Sequence, residues 1–153
     1  MEVHGFCEST RVRSLYIPSH QAQPSVSQPS VQVIVLKVAP LKTVSLPRLE
    51  LSAALLLERL INKIRESLEF SQCPIYLWSD STIALNWITS PWSVFVANRV
   101  SEIQRLTGIK RWHHVASSDN PADTLSRGLN SCDFINAERW WNGPEFLKWD
   151  EKH

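Results

Sequence analysis

The chain has 153 residues, of which 43% are hydrophobic and 20% are charged, as expected for one folded domain. The formal net charge is +1, so overall charge alone gives no reason to expect nucleic-acid binding. No run approaches the ~18 consecutive apolar residues of a membrane span, and the first residues do not resemble a signal peptide. The three cysteines are widely spaced, which favours free thiols in a reducing compartment.

The first third of the chain predicts three strands. VHGFC at residues 3–7, RVRSLYI at 11–17 and VQVIVLKVA at 31–39 have the β-branched or alternating composition of strands. Residues 19–30 are rich in Ser, Gln and Pro and contain almost no large apolar side chain. This stretch therefore predicts a flexible loop between the second and third strands.

The strongest helical pattern covers residues 45–68, where apolar side chains recur at steps of three and four. Glu50 falls in phase with this apolar stripe, so we expect it at the interior or its rim. Glu58, Lys63 and Arg65 fall outside the stripe and are expected on the solvated side. Pro47 suits the first helical turn, where its missing N–H has no partner to lose.

The rest of the chain alternates between strand and helix patterns. The resulting order, β-β-β-α-β-α-α-β-α, is typical of an α/β domain with a mixed sheet and helices on its faces. Its predicted elements are a strand at 74–78, helices at 81–89 and 94–106, a strand at 111–116, and a helix capped by Asn120, opened by Pro121 and ended by Gly128.

Three carboxylates lie at junctions between these elements. Glu50 opens a helix, Asp80 closes a strand and Asp123 falls in the first turn of a helix. Each has an ordinary explanation, because acids favour helix N-termini and Asp80 can cap the helix after it. Together they indicate a cluster at one sheet edge, where their mutual repulsion would be relieved by a divalent cation. Carboxylate oxygens are ligands that suit Mg²⁺.

Four segments resemble one known family. LPRLELSAALLLERL, LWSDSTIALNWI, HVASSDNPADTLSRG and WWNGPEFL are similar to the ribonuclease H domain of BEL/Pao-type LTR retrotransposon polyproteins, over about residues 2–147. The resemblance implies an α/β ribonuclease H-like fold, with a five-stranded mixed sheet flanked by helices and its first three strands antiparallel. It also implies two-metal hydrolysis, with Mg²⁺ or Mn²⁺, of the RNA strand of RNA–DNA hybrids.

The resemblance also assigns four metal-binding, catalytic carboxylates. The second, third and fourth match Glu50, Asp80 and Asp123, and Asp119 is a competitor for the fourth in the preceding loop. The family has Asp at the first position, in a phrase like F-C-D-A-S, whereas FCEST here puts Glu8 there. Because Mg²⁺ demands near-ideal octahedral geometry, we expect the longer Glu8 to impair cleavage. The alternative is an inactive nucleic-acid-binding or scaffolding remnant.

Basic residues are concentrated between residues 95 and 116, where one acid, Glu102, stands against Arg99, Arg105, Lys110 and Arg111. Arg99, Arg105, Arg111 and Arg127 are candidates for phosphate contacts with an RNA–DNA hybrid, with Arg127 favoured because it shares a helix with Asp123. A solvated helix face is the simpler explanation for the others.

Seven tryptophans stand out in the composition. Trp78, Trp87 and Trp112 fall within predicted elements and are expected in the core. Core packing is also favoured over base stacking for Trp92, Trp140 and Trp141. Adjacent His113 and His114 would face opposite sides of a strand, which argues against a zinc site. Nucleophilic serine chemistry has no support, because no serine has a recognisable base partner.

The predicted organisation is a ribonuclease H-like domain at 1–128 followed by a Trp-rich C-terminal extension at 129–153. A Met directly before the first strand indicates a lost upstream polymerase, and the extension would lead towards an integrase region. By analogy, we expect cytoplasmic virus-like particles or the nucleus and no membrane partner. A DDE-type integrase core shares the fold but is disfavoured, because the last acid here is Asp after N-P-A, not a Glu deep in a long helix.

Overall fold

A computed structural model describes residues 2–8, 13–19, 30–33, 45–68, 73–90, 94–106, 108–126 and 130–148. The strands are β1 (Val3–Cys7), β2 (Arg13–Ser19), β3 (Ser30–Val33), β4 (Ile75–Ser79) and β5 (Trp112–His114). The helices are α1 (Leu46–Leu68), α2 (Thr82–Thr89), α3 (Val94–Leu106), α4 (Pro121–Ser126), α5 (Ser131–Ile135) and α6 (Glu138–Asn142). Two 3₁₀ turns cover Ile109–Arg111 and Glu145–Lys148.

The order and type of the predicted elements are confirmed. β1 and α3 have the predicted boundaries, whereas β2 begins and ends two residues later than predicted. Ser19 and Ser30, the ends of the predicted loop, pair with each other in adjacent strands, and residues 20–29 lie outside the described residues. The later part of the predicted third strand and Gly128 also lie outside them.

The strands form one five-stranded mixed sheet, as predicted, and the structure gives its strand order as β3-β2-β1-β4-β5. β1 pairs antiparallel with β2, and β2 pairs antiparallel with β3. β1, β4 and β5 are parallel, and the register pairs Cys7 with Ser79 and Ser79 with His114. These three strands therefore end at the same edge, which we call the C-terminal edge.

One sheet face packs against α1. The side chains of Leu51, Leu57 and Ile61 are fully or almost fully buried there. Gly5 makes the approach possible, because a Cβ on it would lie 2.9 Å from Ile61 Cδ1 and 3.0 Å from Leu57 Cδ1. A larger residue in the middle of β1 would force these core side chains to shift.

The other face is covered by the C-terminal segment, residues 130–148. Trp140 is only 1% exposed and shares a cluster with Phe6, which confirms its predicted place in the core. Phe146 packs against Trp78, with ring centroids 4.8 Å apart. Trp141 does not share this position, since it is 42% exposed and its indole N–H donates to the Phe134 carbonyl at 2.9 Å. Trp92 lies outside the described residues.

The prediction that Glu58 faces solvent is wrong. Its side chain is 0% exposed, and its Oε1 accepts a hydrogen bond of 3.2 Å from the Trp112 indole N–H. The reason is that α1 packs against α3 as well as the sheet, so its buried arc is wider than one apolar stripe. Arg59 and Glu102 join α1 to α3 through hydrogen bonds of 2.7 and 2.8 Å.

No helix in the described part of the chain is long and apolar enough to cross a membrane.

Candidate active site

Asp80 is the first residue after β4, at the C-terminal edge. It is not the cap of α2, because Ser81 is: the Ser81 Oγ accepts the Ala84 N–H at 3.1 Å. The side chains of Ser117 and Asn120 act on the Asp80 carboxyl instead, where hydrogen bonding lowers its pKa against the effect of burial. Its half-buried position is therefore set by the loop after β5 and not by the helix that follows it.

Glu50 approaches the same edge from α1. Its half-buried carboxylate accepts a hydrogen bond from the Ser81 hydroxyl. The same hydroxyl therefore caps α2 and holds a carboxylate of α1. The backbone N–H of Ser81 in turn donates to the Ser79 Oγ at 3.2 Å, which ties this pair to the end of β4.

Glu8 completes a group of three acids. It directly follows Cys7, which pairs with Ser79, so Glu8 and Asp80 leave the sheet side by side. The negative charge of Glu8 raises the pKa of both Glu50 and Asp80. The structure therefore brings together three of the four predicted carboxylates.

Burial is the main reason that the pKa values of Glu50 and Asp80 are raised. It raises the pKa of Glu50, an effect that the Ser81 hydrogen bond opposes and the charges of Asp80 and Glu8 reinforce. Burial also raises the pKa of Asp80, against the hydrogen bonds from Ser117 and Asn120. Carboxyl groups perturbed by both burial and like charge are characteristic of functional sites.

Asp123 lies in the first turn of α4, close behind the same edge. Asn120 caps this helix as predicted, with its Oδ1 accepting the Ala122 N–H at 3.1 Å. The Asn120 Nδ2 donates to the Cys7 carbonyl at 3.0 Å, which holds the start of α4 against the end of β1. Asp123 is half-buried, whereas Asp119 is exposed in the preceding turn.

The family of the chain follows from its first half. The model of the Pao retrotransposon-like RNaseH-like domain family matches residues 1–81, more than half of the sequence. The chain belongs to this family. This confirms the resemblance inferred from the motifs, and the matched range contains Glu8, Glu50 and Asp80, whereas Asp123 lies beyond it. No curated protein and no solved structure gave a significant match.

In this Pao-type domain the predicted phosphate-binding arginines are spread over several elements. Arg111 precedes β5, at the end of that strand away from the C-terminal edge. Arg99 and Arg105 lie on α3, whose Glu102 pairs with Arg59 of α1. Arg59 lies nine residues after Glu50, about 13 Å along the helix axis. Arg127 lies outside the described residues.

The donor chemistry of the Pao-type site suits a hard divalent cation, because carboxylate oxygens are the ligands that Mg²⁺ prefers. Within the described ranges, no three His, Cys, Asp or Glu side chains are placed to hold a metal ion together. The carboxylates of Glu50 and Asp80 are oriented by Ser81, Ser117 and Asn120 instead. Chemistry and burial thus fit a cation, which the acids could share only by moving closer together.

The hydrogen-bond partners of the acids are the part of the Pao-type site that sequence reasoning missed. Ser81 and Ser117 had no predicted role beside the carboxylates, and Asn120 was expected only as a helix cap. Ser81 follows Asp80 directly, in SDS, which is the one local signal for its role. Ser117 and Asn120 lie far from Asp80 in sequence, so their contact depends on the pairing of β4 with β5.

Proposed function

We propose that this Pao-type domain is a ribonuclease H-type phosphodiesterase that hydrolyses the RNA strand of RNA–DNA hybrids. The observation that carries the proposal is the convergence of Glu8, Glu50 and Asp80 at the C-terminal edge, with burial and like charge raising the pKa of two of them. Such a cluster is costly without a cation and becomes favourable with one. Its residues come in the order that the family resemblance assigns to the metal ligands.

Glu8, Glu50, Asp80 and Asp123 would hold two Mg²⁺ or Mn²⁺ ions. When bound, a pair of such ions activates a water and stabilises the leaving oxygen of a phosphodiester. The residues of the chain orient the ligands. Ser81 holds the Glu50 carboxylate, while Ser117 and Asn120 hold that of Asp80.

The proposed substrate is recognised by its backbone and shape. Arg99, Arg105, Arg111 and Arg127 are proposed to contact phosphates, and the 2′-hydroxyls would distinguish RNA from DNA. Such contacts carry no base-sequence information, so cleavage is expected at many positions along a hybrid. Replacing one of these arginines should weaken hybrid binding to a similar degree for different sequences.

Calorimetry with Mn²⁺ tests the site directly. We expect the wild-type protein to bind Mn²⁺ and Asp80→Asn to lose this binding. Asp133→Asn is the matched control, because Asp133 is an exposed acid in the first turn of α5, where it accepts a hydrogen bond from Asn130. Equal Mn²⁺ binding by wild type and Asp80→Asn would contradict the proposed ligand set. Cleavage of a labelled hybrid then tests the reaction itself.

A second candidate function is a non-catalytic nucleic-acid-binding remnant of the same fold. The observation that favours it is Glu8, which places a side chain one methylene longer beside Asp80. This function predicts that the wild-type protein binds an RNA–DNA hybrid without binding Mn²⁺ and without cleaving the RNA. Gel-shift measurements in EDTA, beside the calorimetry, distinguish the two candidates.

A further inference from the structure

Asn120 is a buried polar residue at the point where the acidic elements meet. It is 1% exposed, although it directly follows the turn after β5. Its backbone N–H donates to the carbonyls of Ala116 at 3.0 Å and Ser117 at 3.3 Å. The main chain of the turn therefore fixes where the Asn120 side chain emerges.

The Asn120 side chain bonds to three elements at once. Its Nδ2 donates to the Cys7 carbonyl at 3.0 Å, immediately before Glu8, and its amide lies near enough to the Asp80 carboxyl to lower the pKa of that group. Its Oδ1 accepts the Ala122 N–H at 3.1 Å, in the turn that carries Asp123. An amide supplies two N–H donors and an acceptor, a set that a hydroxyl of Ser or Thr cannot match at this reach.

We infer that Asn120 is a positioning residue that sets the placement of Glu8, Asp80 and Asp123 relative to one another. The expected effect of Asn120 on metal binding rests on the proposed function. Asn120 itself is not a ligand in this scheme. It acts by joining the end of β1, the end of β4 and the start of α4, which are the elements that carry these acids.

The expected size of the effect follows from the geometry. Removing the amide leaves the Cys7 carbonyl and one Asp80 contact without this donor in a buried setting, so β1 and α4 can separate. Loss of a residue that orients metal ligands typically costs about 10- to 100-fold in metal affinity or activity.

The test separates the capping role of Asn120 from its donor role. Asn120→Ala removes both, whereas Asn120→Ser keeps a good capping group and removes the far-reaching amide. Asn130→Ala is the matched control. Asn130 also caps a helix and donates to a carboxylate, at 2.6 Å from Asp133, but it is exposed and lies in the C-terminal segment. Each protein is measured by melting, by backbone amide resonances in EDTA and by Mn²⁺ calorimetry.

The inference expects both Asn120 variants to shift the amide resonances of Glu8, Asp80 and Asp123 and to raise the Mn²⁺ Kd about 10- to 100-fold. Asn130→Ala should leave these resonances and the Kd unchanged. Wild-type behaviour of Asn120→Ser in both measurements would overturn the inference, because capping would then account for the residue. Unfolding of both variants would also overturn it, by assigning Asn120 to fold stability.

A wild-type protein that binds no Mn²⁺ would contradict the proposed function and not the positioning role. The resonances in EDTA then decide the positioning role alone, because they report the local geometry without any metal. Unshifted resonances at Glu8, Asp80 and Asp123 in Asn120→Ser would refute it. Shifts confined to these three sites and their neighbours would support it.

Discussion

Glu8 is the residue on which the activity of the proposed site depends most. It leaves β1 beside Asp80, because Cys7 and Ser79 are paired in the sheet register. Neighbouring strands are about 4.8 Å apart, so both side chains start from nearly the same distance to any shared ion. Replacing Glu8 by Asp shortens its reach by one methylene, or about 1.5 Å.

The size of the expected gain follows from this displacement. The two ions of such a site are about 4 Å apart, so a ligand misplaced by about 1.5 Å is displaced by a large fraction of their separation. A misplacement of about 1 Å can lower a rate by ~10²-fold. We therefore expect Glu8→Asp to raise the cleavage rate about 10²-fold, which corresponds to about 2.7 kcal/mol in activation free energy.

The assay is the initial rate of cleavage of a labelled RNA–DNA hybrid, with Mg²⁺ and separately with Mn²⁺. Wild type, Glu8→Asp, Asp80→Asn and the double variant are compared at one protein concentration. Glu8→Asp should exceed wild type, and both proteins with Asp80→Asn should be inactive. Robust wild-type cleavage that Glu8→Asp does not increase would refute the reasoning about side-chain length.

Three further predictions concern stability. Trp140→Ala should lower the free energy of unfolding by about 3–5 kcal/mol in denaturant titrations, because a core side chain is lost. An unchanged denaturation midpoint would show that the C-terminal segment does not pack against the sheet. Gly5→Ala should lower the free energy of unfolding by about 1–3 kcal/mol, because the new methyl overlaps Ile61; a stability gain would contradict the close packing. Asp80→Asn should stabilise the protein in EDTA. The pKa of Asp80 is raised in the folded protein above its ordinary value of 3.8. Its protonated form therefore contributes fully to stability below pH 3.8, and this contribution is lost as the pH rises through the pKa of the folded state. The difference in melting temperature between this variant and wild type should therefore grow from about pH 4 to pH 7, and a constant difference would refute the raised pKa.

The sequence determined the elements of this protein because their signals are local. Neighbouring residues alone reveal the three- and four-residue spacing of apolar side chains in α1 and the β-branched runs of the strands. Glu50, Asp80 and Asp123 could be identified in the same way, because each lies where a strand or helix pattern begins or ends. The resemblance of the motifs to BEL/Pao-type ribonuclease H domains then gave these acids their proposed roles. The match to the Pao-type family model confirmed the family assignment.

The tertiary structure decided which side chains these acids meet. Glu58 is buried because α1 has two packing partners, a fact that the periodicity of one helix does not contain. Ser81 caps α2 in place of Asp80, which leaves the Asp80 carboxylate to Ser117 and Asn120. Asn120 reaches Cys7 across more than a hundred residues of sequence, because parallel pairing brings the ends of β1, β4 and β5 to one edge. Contacts of this kind depend on strand order and register, which only the assembled sheet determines.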